Sequence, residues 1–359
     1  MRLQVSSTVN ASTVVAILVG CSPLSETTAP DADHGGGGSD SAGDSADTAP
    51  DSGDIGDSSA DTGLPDCDRT RGWIDVTAGR LLTCGVHTDG CAECWGAPTF
   101  DPATHDTGGD WGTSGYLKRV PDGPWTHIEL SRDGWELINS IACGLRPNGD
   151  LDCWGFWESA TWPGPWTSPT IHADYVPCAV DAEGVATCRE STWPELAPPT
   201  AAVQLQALND GFLAVLTTGE VWYDMSQAMA PEPIGMFGSP ESIYVQAASD
   251  GDVVCAVDDA GTLSCGEVLW TGRAWITQPP EGDFLDVCLV SGWSENFDMA
   301  CARRTDGTAV CWGHNAYEAP ADEQFDVLSC GETQVCGVTT DQRIVCWGDC
   351  AFGECDPPT

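Results

Sequence analysis

The sequence predicts an all-β chain, a β-propeller assembled from seven hairpin repeats behind an unfolded N-terminal leader. Three observations predict it. The segment CGVTTDQRIVCWG, from Cys336 to Gly348, recurs along the chain, its first position falling at 84, 143, 178, 213, 255, 301 and 336, in steps of 59, 35, 35, 42, 46 and 35. Each copy places two equivalent positions ten residues apart around a turn, and in six copies both are cysteine. Upstream of the copies stand short apolar segments of period two, such as Trp73–Val76, Val203–Gln206, Ile243–Gln246 and Phe325–Leu328, the strand signature. A unit of about 35 residues repeated seven times is a propeller blade rather than a set of sandwich strands.

The hairpin follows from its turn. CGVHTDGCAECWG from Cys84, CGLRPNGDLDCWG from Cys143 and CARRTDGTAVCWG from Cys301 are close copies; CAVDAEGVATC from Cys178 and CAVDDAGTLSC from Cys255 are weaker ones. Connections such as Thr88–Gly90 and Pro147–Gly149 have three residues, which suits a type I turn closed by a left-handed glycine. Counting outward sets Cys84 opposite Cys94, and likewise Cys143 and Cys153, Cys178 and Cys188, Cys255 and Cys265, Cys301 and Cys311, Cys336 and Cys346. Opposed Cβ atoms lie about 4.5–5.5 Å apart, within small adjustment of disulfide geometry. Closing a loop of about ten residues stabilises each hairpin by roughly 2–3 kcal/mol in the chain-entropy account. The copy LAVLTTGEVWY has Leu213 and Tyr223 at these positions, an apolar pair in the same cross-strand role. In the last copy Gln342 stands where the others have Gly, so a different turn is to be looked for there.

At these residues the chain resembles a known family. The pattern C-x-L-x-x-D-G-x-V-x-C-W-G is similar to the regulator of chromosome condensation repeat, whose secreted bacterial members are of the β-lactamase inhibitor protein II type. The tail from Cys346 to Cys355, CWGDCAFGEC, stands where that repeat continues W-G-x-N-x-x-G-Q-L. The resemblance covers roughly residues 67–359, is specific in the first, second, sixth and seventh copies, and rests on spacing alone in the fourth. It implies a seven-bladed propeller.

Residues 1–20 carry one positive charge, Arg2, and the apolar run Val14–Gly20. That run is too short to span a bilayer and reads as the core of a signal peptide. Leu18-Val19-Gly20-Cys21 resembles a bacterial lipobox, which implies lipidation of Cys21, and Ser22 in place of an Asp implies sorting to the outer membrane. An ordinary cleaved signal peptide with an incidental cysteine is the other reading. Residues 21–66 then form the linker: from Glu26 to Asp66 there are eleven acids and no Lys or Arg, with Ile55 and Leu64 the large apolar residues. Such a stretch cannot bury enough surface to offset its ordering entropy, and its charges extend it. No EF-hand spacing is present in it.

Residues 67–359 carry 44 acids against 12 bases, a formal −32, with Lys118 the single lysine. A field of this sign repels phosphates and anionic headgroups, which argues against nucleic acid as a partner; a basic partner, cations or simple tolerance of high salt are all compatible with it. Two insertions, 97–124 and 155–175, hold many aromatics, among them Trp111, Tyr116, Trp157 and Trp162, with Trp125, Phe156 and Trp166 beside them. Aromatics on loops suit recognition; they suit equally well a cover over blade edges.

Nineteen cysteines less Cys21 and the six pairs leave Cys67, Cys91, Cys288, Cys330, Cys350 and Cys355. Cys350 and Cys355 are near enough to close a small loop, Cys288 and Cys330 occupy similar places in successive blades, and Cys67 and Cys91 remain; sequence alone does not fix their connectivity. Export favours disulfides over thiols. An alternative in the first copy is a structural zinc site from Cys84, His87, Cys91 and Cys94. Catalytic patterns are lacking: the six histidines form no HExxH, and there is no nucleophile elbow or phosphate loop. The expectation is therefore an envelope lipoprotein with a protein- or glycan-binding propeller, needing no cofactor or metal. The alternative is a secreted polysaccharide hydrolase or lyase on the same scaffold.

Overall fold

The structure, a computed structural model, describes residues 67–358 apart from 80–81, 97–119, 132–140, 156–159, 173–175, 190–197, 199, 209–210, 225–233, 240, 268–275, 291–298, 315 and 352. Cys21, Trp111, Tyr116 and Trp157, with all of residues 1–66, on which the expected signal peptide and linker fall, lie outside the described residues.

The described strands form seven antiparallel sheets in chain order. The first holds β1 (Trp73–Ala78), β2 (Leu82–His87) and β3 (Ala92–Gly96); the second β4 (His127–Leu130), β5 (Ile141–Leu145), β6 (Leu151–Gly155) and β7 (Ala160–Trp162). The third holds β8 (Trp166–Ile171), β9 (Pro177–Asp181) and β10 (Ala186–Cys188); the fourth β11 (Ala202–Leu208), β12 (Gly211–Leu216), β13 (Val221–Asp224) and β14 (Ile234–Phe237). The fifth holds β15 (Tyr244–Ser249), β16 (Val253–Asp258) and β17 (Leu263–Glu267); the sixth β18 (Phe284–Val290), β19 (Met299–Arg304) and β20 (Ala309–Gly313). The seventh holds β21 (Phe325–Cys330), β22 (Gln334–Thr339) and β23 (Ile344–Gly348). The first strand of each sheet borders the first strand of the next, and β21 borders β1, so the sheets close into a propeller ring.

The repeat turn is the same in all seven sheets. In the first, His87 N donates to Cys91 O at 2.7 Å and Gly90 N to His87 O at 2.9 Å, with Gly90 at φ 84°. Gln342 does not change this turn: its N–H donates to Thr339 O at 2.7 Å, and it takes the left-handed position itself at φ 65°. The turn also links sheets. Its third carbonyl accepts the N–H of the residue at or just ahead of the start of the next sheet's first strand (the strand-opening position), as Gly90 O does from Trp125 and Gly219 O from Tyr244, and Gln342 O closes the set by accepting from Trp73.

The turns place the opposed cysteines in register, and the six hairpin disulfides join the pairs counted from sequence, with Cα separations of 4.0–4.1 Å. Leu213 pairs with Tyr223 in the same register. Successive residues of a strand point to opposite faces, so in C-W-G the disulfide and the tryptophan part company. Cys84 packs toward the second sheet with Trp125 and Ile128. Trp95, one residue past Cys94, packs toward the seventh sheet with Cys336, Val338 and Ile344. Most inter-sheet seams repeat this arrangement, sulfur from one sheet against an aromatic from the next.

The remaining cysteines form Cys67–Cys91, Cys288–Cys330 and Cys350–Cys355. Cys288–Cys330 ties the first strands of the sixth and seventh sheets. The loop closed by Cys350–Cys355 crosses the seam between last and first sheets: the Glu354 carbonyl accepts from Thr83 Oγ1 at 2.8 Å and Trp95 Nε1 at 3.0 Å. Gln334 Nε2 donates to Gly79 O at 2.9 Å across the same seam.

The second expected insertion is corrected. Between Cys143 and Cys178 the step is the ordinary 35 residues, and residues 160–162 and 166–171 are strands β7 and β8.

Candidate functional site: the central channel and its mouth

Seven first strands around an axis leave one backbone edge of each without a strand partner. An unpaired row of N–H and C=O groups must be satisfied some other way, and here side chains of the neighbouring strand do it. Counting the strand-opening residue as zero, the second residue onward is Asp75, His127, Ser168, Gln204, Gln246, Asp286 and Val327 around the ring. The fourth is Thr77, Glu129, Thr170, Gln206, Ala248, Cys288 and Ser329. Together these two layers line a central cavity of about 460 Å³.

The glutamines clamp their neighbours in pairs of bonds. Gln204 Nε2 donates to Ala247 O at 2.8 Å while Ala247 N donates to Gln204 Oε1 at 3.1 Å. Gln246 does the same to Val287 at 2.9 and 3.0 Å, and Gln206 to Ser249 at 2.9 and 2.9 Å. Ser168 and Thr170 hydroxyls accept from Leu205 N and Ala207 N, both at 2.8 Å. Thr77 Oγ1 donates to Ile128 O, and Ser329 Oγ accepts from Ala78 N at 3.0 Å across the closing seam. Side chains of these layers thus zip the first strands together at five of the seven seams, and Cys288–Cys330 joins them at a sixth.

Where the first sheet meets the second, charge replaces the amide. His127 Nδ1 lies 2.7 Å from Asp75 Oδ2 and Nε2 lies 3.4 Å from Glu129 Oε2. Burial pulls the His127 pKa down, but the charge of Asp75 and the hydrogen bonds to Asp75 and Glu129 outweigh it and push the pKa up to about 10. The imidazole is therefore a cation at neutral pH, donating from both nitrogens. At the sixth sheet Asp286 Oδ2 accepts from Arg303 Nη2 at 2.6 Å and Nε at 3.0 Å. Burial raises the Asp286 pKa and the guanidinium only partly offsets this.

The residue one step outward from the channel layer, next to the strand opening, is Ile74, Thr126, Thr167, Val203, Val245, Leu285 and Asp326 in the seven sheets, and every one is exposed. In the first, fourth, fifth, sixth and seventh sheets it is the residue skipped by a register shift. A bulge re-aims a side chain out of the ladder. Each strand opening is held by a hairpin turn, so the turns gather at this same end. They carry Asp89, Asp150, Glu183, Glu220, Asp259, Asp306 and Asp341.

Of the aromatics expected to recognise a ligand, Trp162 is described. It sits in β7, an outer strand, with its ring centroid 4.0 Å from that of Trp166 and its side chain packed among Ile141, Leu151 and Leu145. Trp166 opens the first strand of the third sheet, and Trp125 holds the equivalent place two residues ahead of β4 in the second. Trp125 is buried, with Arg146 over its ring at 4.4 Å. A signal for this role was present: Gly-Pro-Trp-Thr occurs at 123–126 and again at 164–167. The zinc alternative is corrected, since Cys84 is joined to Cys94 and Cys91 to Cys67, which leaves that set no thiolate. His87 instead stacks on Trp73, with centroids 3.6 Å apart, and meets Glu93 at 3.2 Å. Burial pushes the Glu93 carboxyl up, but the His87 and Arg69 hydrogen bonds hold it below its ordinary range. Cys67 Sγ is near both, within a 4.8 Å cluster, but is spent in its disulfide.

Comparisons with known proteins support the fold through one solved structure, yeast RCC1. No protein-family model matches the chain. The serine/threonine-protein kinase-like protein CCR2 of Arabidopsis thaliana is 26% identical over 193 residues, 45% of this chain and 24% of the relative; the chain spans about a quarter of that relative's length. Among solved structures, yeast RCC1 (Prp20) bound to Kap60 matches with a TM-score of 0.50 at 12% identity, over 72% of this chain and 78% of that one. The CRINKLY WD40 ectodomain of the Arabidopsis thaliana receptor kinase ACR4 is 20% identical over 77% of this chain and 79% of that one, with a TM-score of 0.34. The fold is an RCC1-like β-propeller.

Proposed function

We propose that the chain is an exported lipoprotein whose propeller, residues 67–359, is a protein- or glycan-binding module of the cell envelope. In this reading residues 1–20 are its signal peptide, Cys21 its lipid anchor, and residues 21–66 an acidic tether. The observation that carries the export reading is the nine disulfides of the described residues, a cross-linking suited to an oxidising compartment. The binding reading is supported by the division of labour in the ring. The channel's amides and hydroxyls and the Asp75–His127 pair are engaged in joining sheets, and Asp286 is engaged by Arg303 of its own sheet, while the turn end presents bulged, exposed side chains. Yeast RCC1, of the same fold, is seen bound to the protein Kap60.

Fractionation of a bacterial host tests the anchor. The wild type partitions with membranes into detergent, and Cys21→Ser moves to the soluble fraction; unchanged partition of the mutant would sink the lipoprotein reading. Pull-down from the native envelope beside a glycan array tests the module. Saturable capture of one protein or glycan supports it, and turnover of a polysaccharide by the purified chain would replace it with the enzyme reading.

A further inference from the structure

The mouth of the channel at the turn end is not a generic surface. Equivalent bulges on Ile74, Val203, Val245 and Leu285 hold aliphatic side chains 42, 54, 52 and 43% exposed. Three of them, Val203, Val245 and Leu285, occupy the same repeat position at the strand openings of three consecutive sheets, an arc of equivalent sites around the ring. Large aliphatics in water are unfavourable to a folded chain, and a bulge conserves that exposure where a regular strand would have turned the side chain elsewhere. Repetition at one position of the repeat is what separates this arc from scattered exposed residues, which need no explanation.

The rim around the arc decides what covers it. Each of the seven turns brings at least one carboxylate to this end: at the first and last Asp89 and Asp341 are paired with Arg71 and Arg343, while Glu183, Glu220 and Asp259 stand near the arc's sheets, as does Asp306 with Arg304 in its turn. The propeller region as a whole carries 44 acids against 12 bases. A second copy of the chain, an anionic lipid surface or a nucleic acid would meet like charge there. A small polyamine would satisfy the rim but leave the aliphatics in water. We infer that the turn-end mouth docks a cationic protein segment, one whose aliphatic side chains cover Val203, Val245 and Leu285 while its Lys or Arg residues meet the turn carboxylates. This inference rests on the reading of the propeller as a binding module and names its face and the chemistry of its partner.

The test uses the full chain and a fluorescent peptide alternating lysine and leucine, read by anisotropy. The triple variant Val203→Ser/Val245→Ser/Leu285→Ser is compared with Met236→Ser, an exposed aliphatic on the outer strand β14. Unchanged melting temperature and disulfide map establish that each variant is folded. The expected result is saturable binding that the triple variant weakens by at least about tenfold, as loss of a central apolar anchor does. Met236→Ser should leave it unchanged. Replacing leucine by serine in the peptide should weaken binding as much as the triple variant does, and raising the salt should weaken it further. Equal binding by the triple variant, equal binding of a glutamate–leucine peptide, or self-association of the chain that the triple variant abolishes would each overturn the inference. An envelope protein captured equally by wild type and triple variant would overturn this face alone and leave the binding-module reading standing. Capture of a glycan and no protein would remove both.

Discussion

Replacing Gln246 by Leu asks whether the side-chain zip holds the propeller together. Gln246 donates from Nε2 to Val287 O at 2.9 Å and accepts from Val287 N at 3.0 Å, with a longer bond to Ala247 O at 3.3 Å. Leu keeps nearly the same volume, so the packing change is small and the loss is one of hydrogen bonds. Two bonds at about 1 kcal/mol each give about 2 kcal/mol. A sealed site would lose more, because an orphaned backbone donor and acceptor each carry a desolvation penalty of about 1–3 kcal/mol. The cavity of about 460 Å³ alongside has room for water to relieve them, so the figure stays near 2 kcal/mol. Gln246→Glu sharpens the argument: its carboxylate still accepts from Val287 N but faces Val287 O with charge, so it should destabilise at neutral pH and recover on acidification, when a protonated Glu again donates. The assay is equilibrium urea unfolding with disulfides intact, followed by tryptophan fluorescence, together with hydrogen exchange at the Val287 amide. A change in Gln246→Leu below about 0.5 kcal/mol, or unaltered protection of Val287, would refute the reasoning, because each glutamine would then be only a passenger in the channel.

Other outcomes follow from the same geometry. Leu213→Cys/Tyr223→Cys should form a disulfide without an added catalyst, because that pair holds the register of Cys255 and Cys265; free thiols in a folded, oxidised variant would show that the fourth hairpin differs. His127 has its pKa raised from 6.5 to about 10 in the fold, so its contribution is complete below pH 6.5 and is lost as pH rises through about 10. The melting-temperature gap between wild type and His127→Gln should therefore be widest near pH 6 and close toward pH 10, and a gap constant over that range would show that Asp75 and Glu129 do not hold the imidazole as a cation. Deleting residues 26–66 removes acids and few large apolar residues, so the melting temperature of the propeller should stay the same; a marked fall would mean that the tether packs against it.

What the sequence determined by itself was everything decided within one repeat. Gly at the third turn position and two cysteines ten apart set the hairpin, its register and six disulfides, because turn geometry and period-two alternation act over a dozen residues. Even Gln342 left the turn intact, since a left-handed residue is demanded by the loop and a non-glycine can occupy it at modest strain. The aromatics were harder. Trp125, Trp162 and Trp166 read as loop residues because Gly and Pro surround them, whereas the fold buries Trp125 just ahead of β4, opens β8 with Trp166 and sets Trp162 in the outer strand β7 against it. Only the tertiary structure could decide the channel and its mouth. Asp75 meets His127 across 52 residues, Gln246 meets Val287 across 41, and Thr83 meets Glu354 across 271. No local pattern encodes such pairs, because a polar residue on the free edge of a first strand has no partner until the neighbouring sheet is set beside it and the ring has closed.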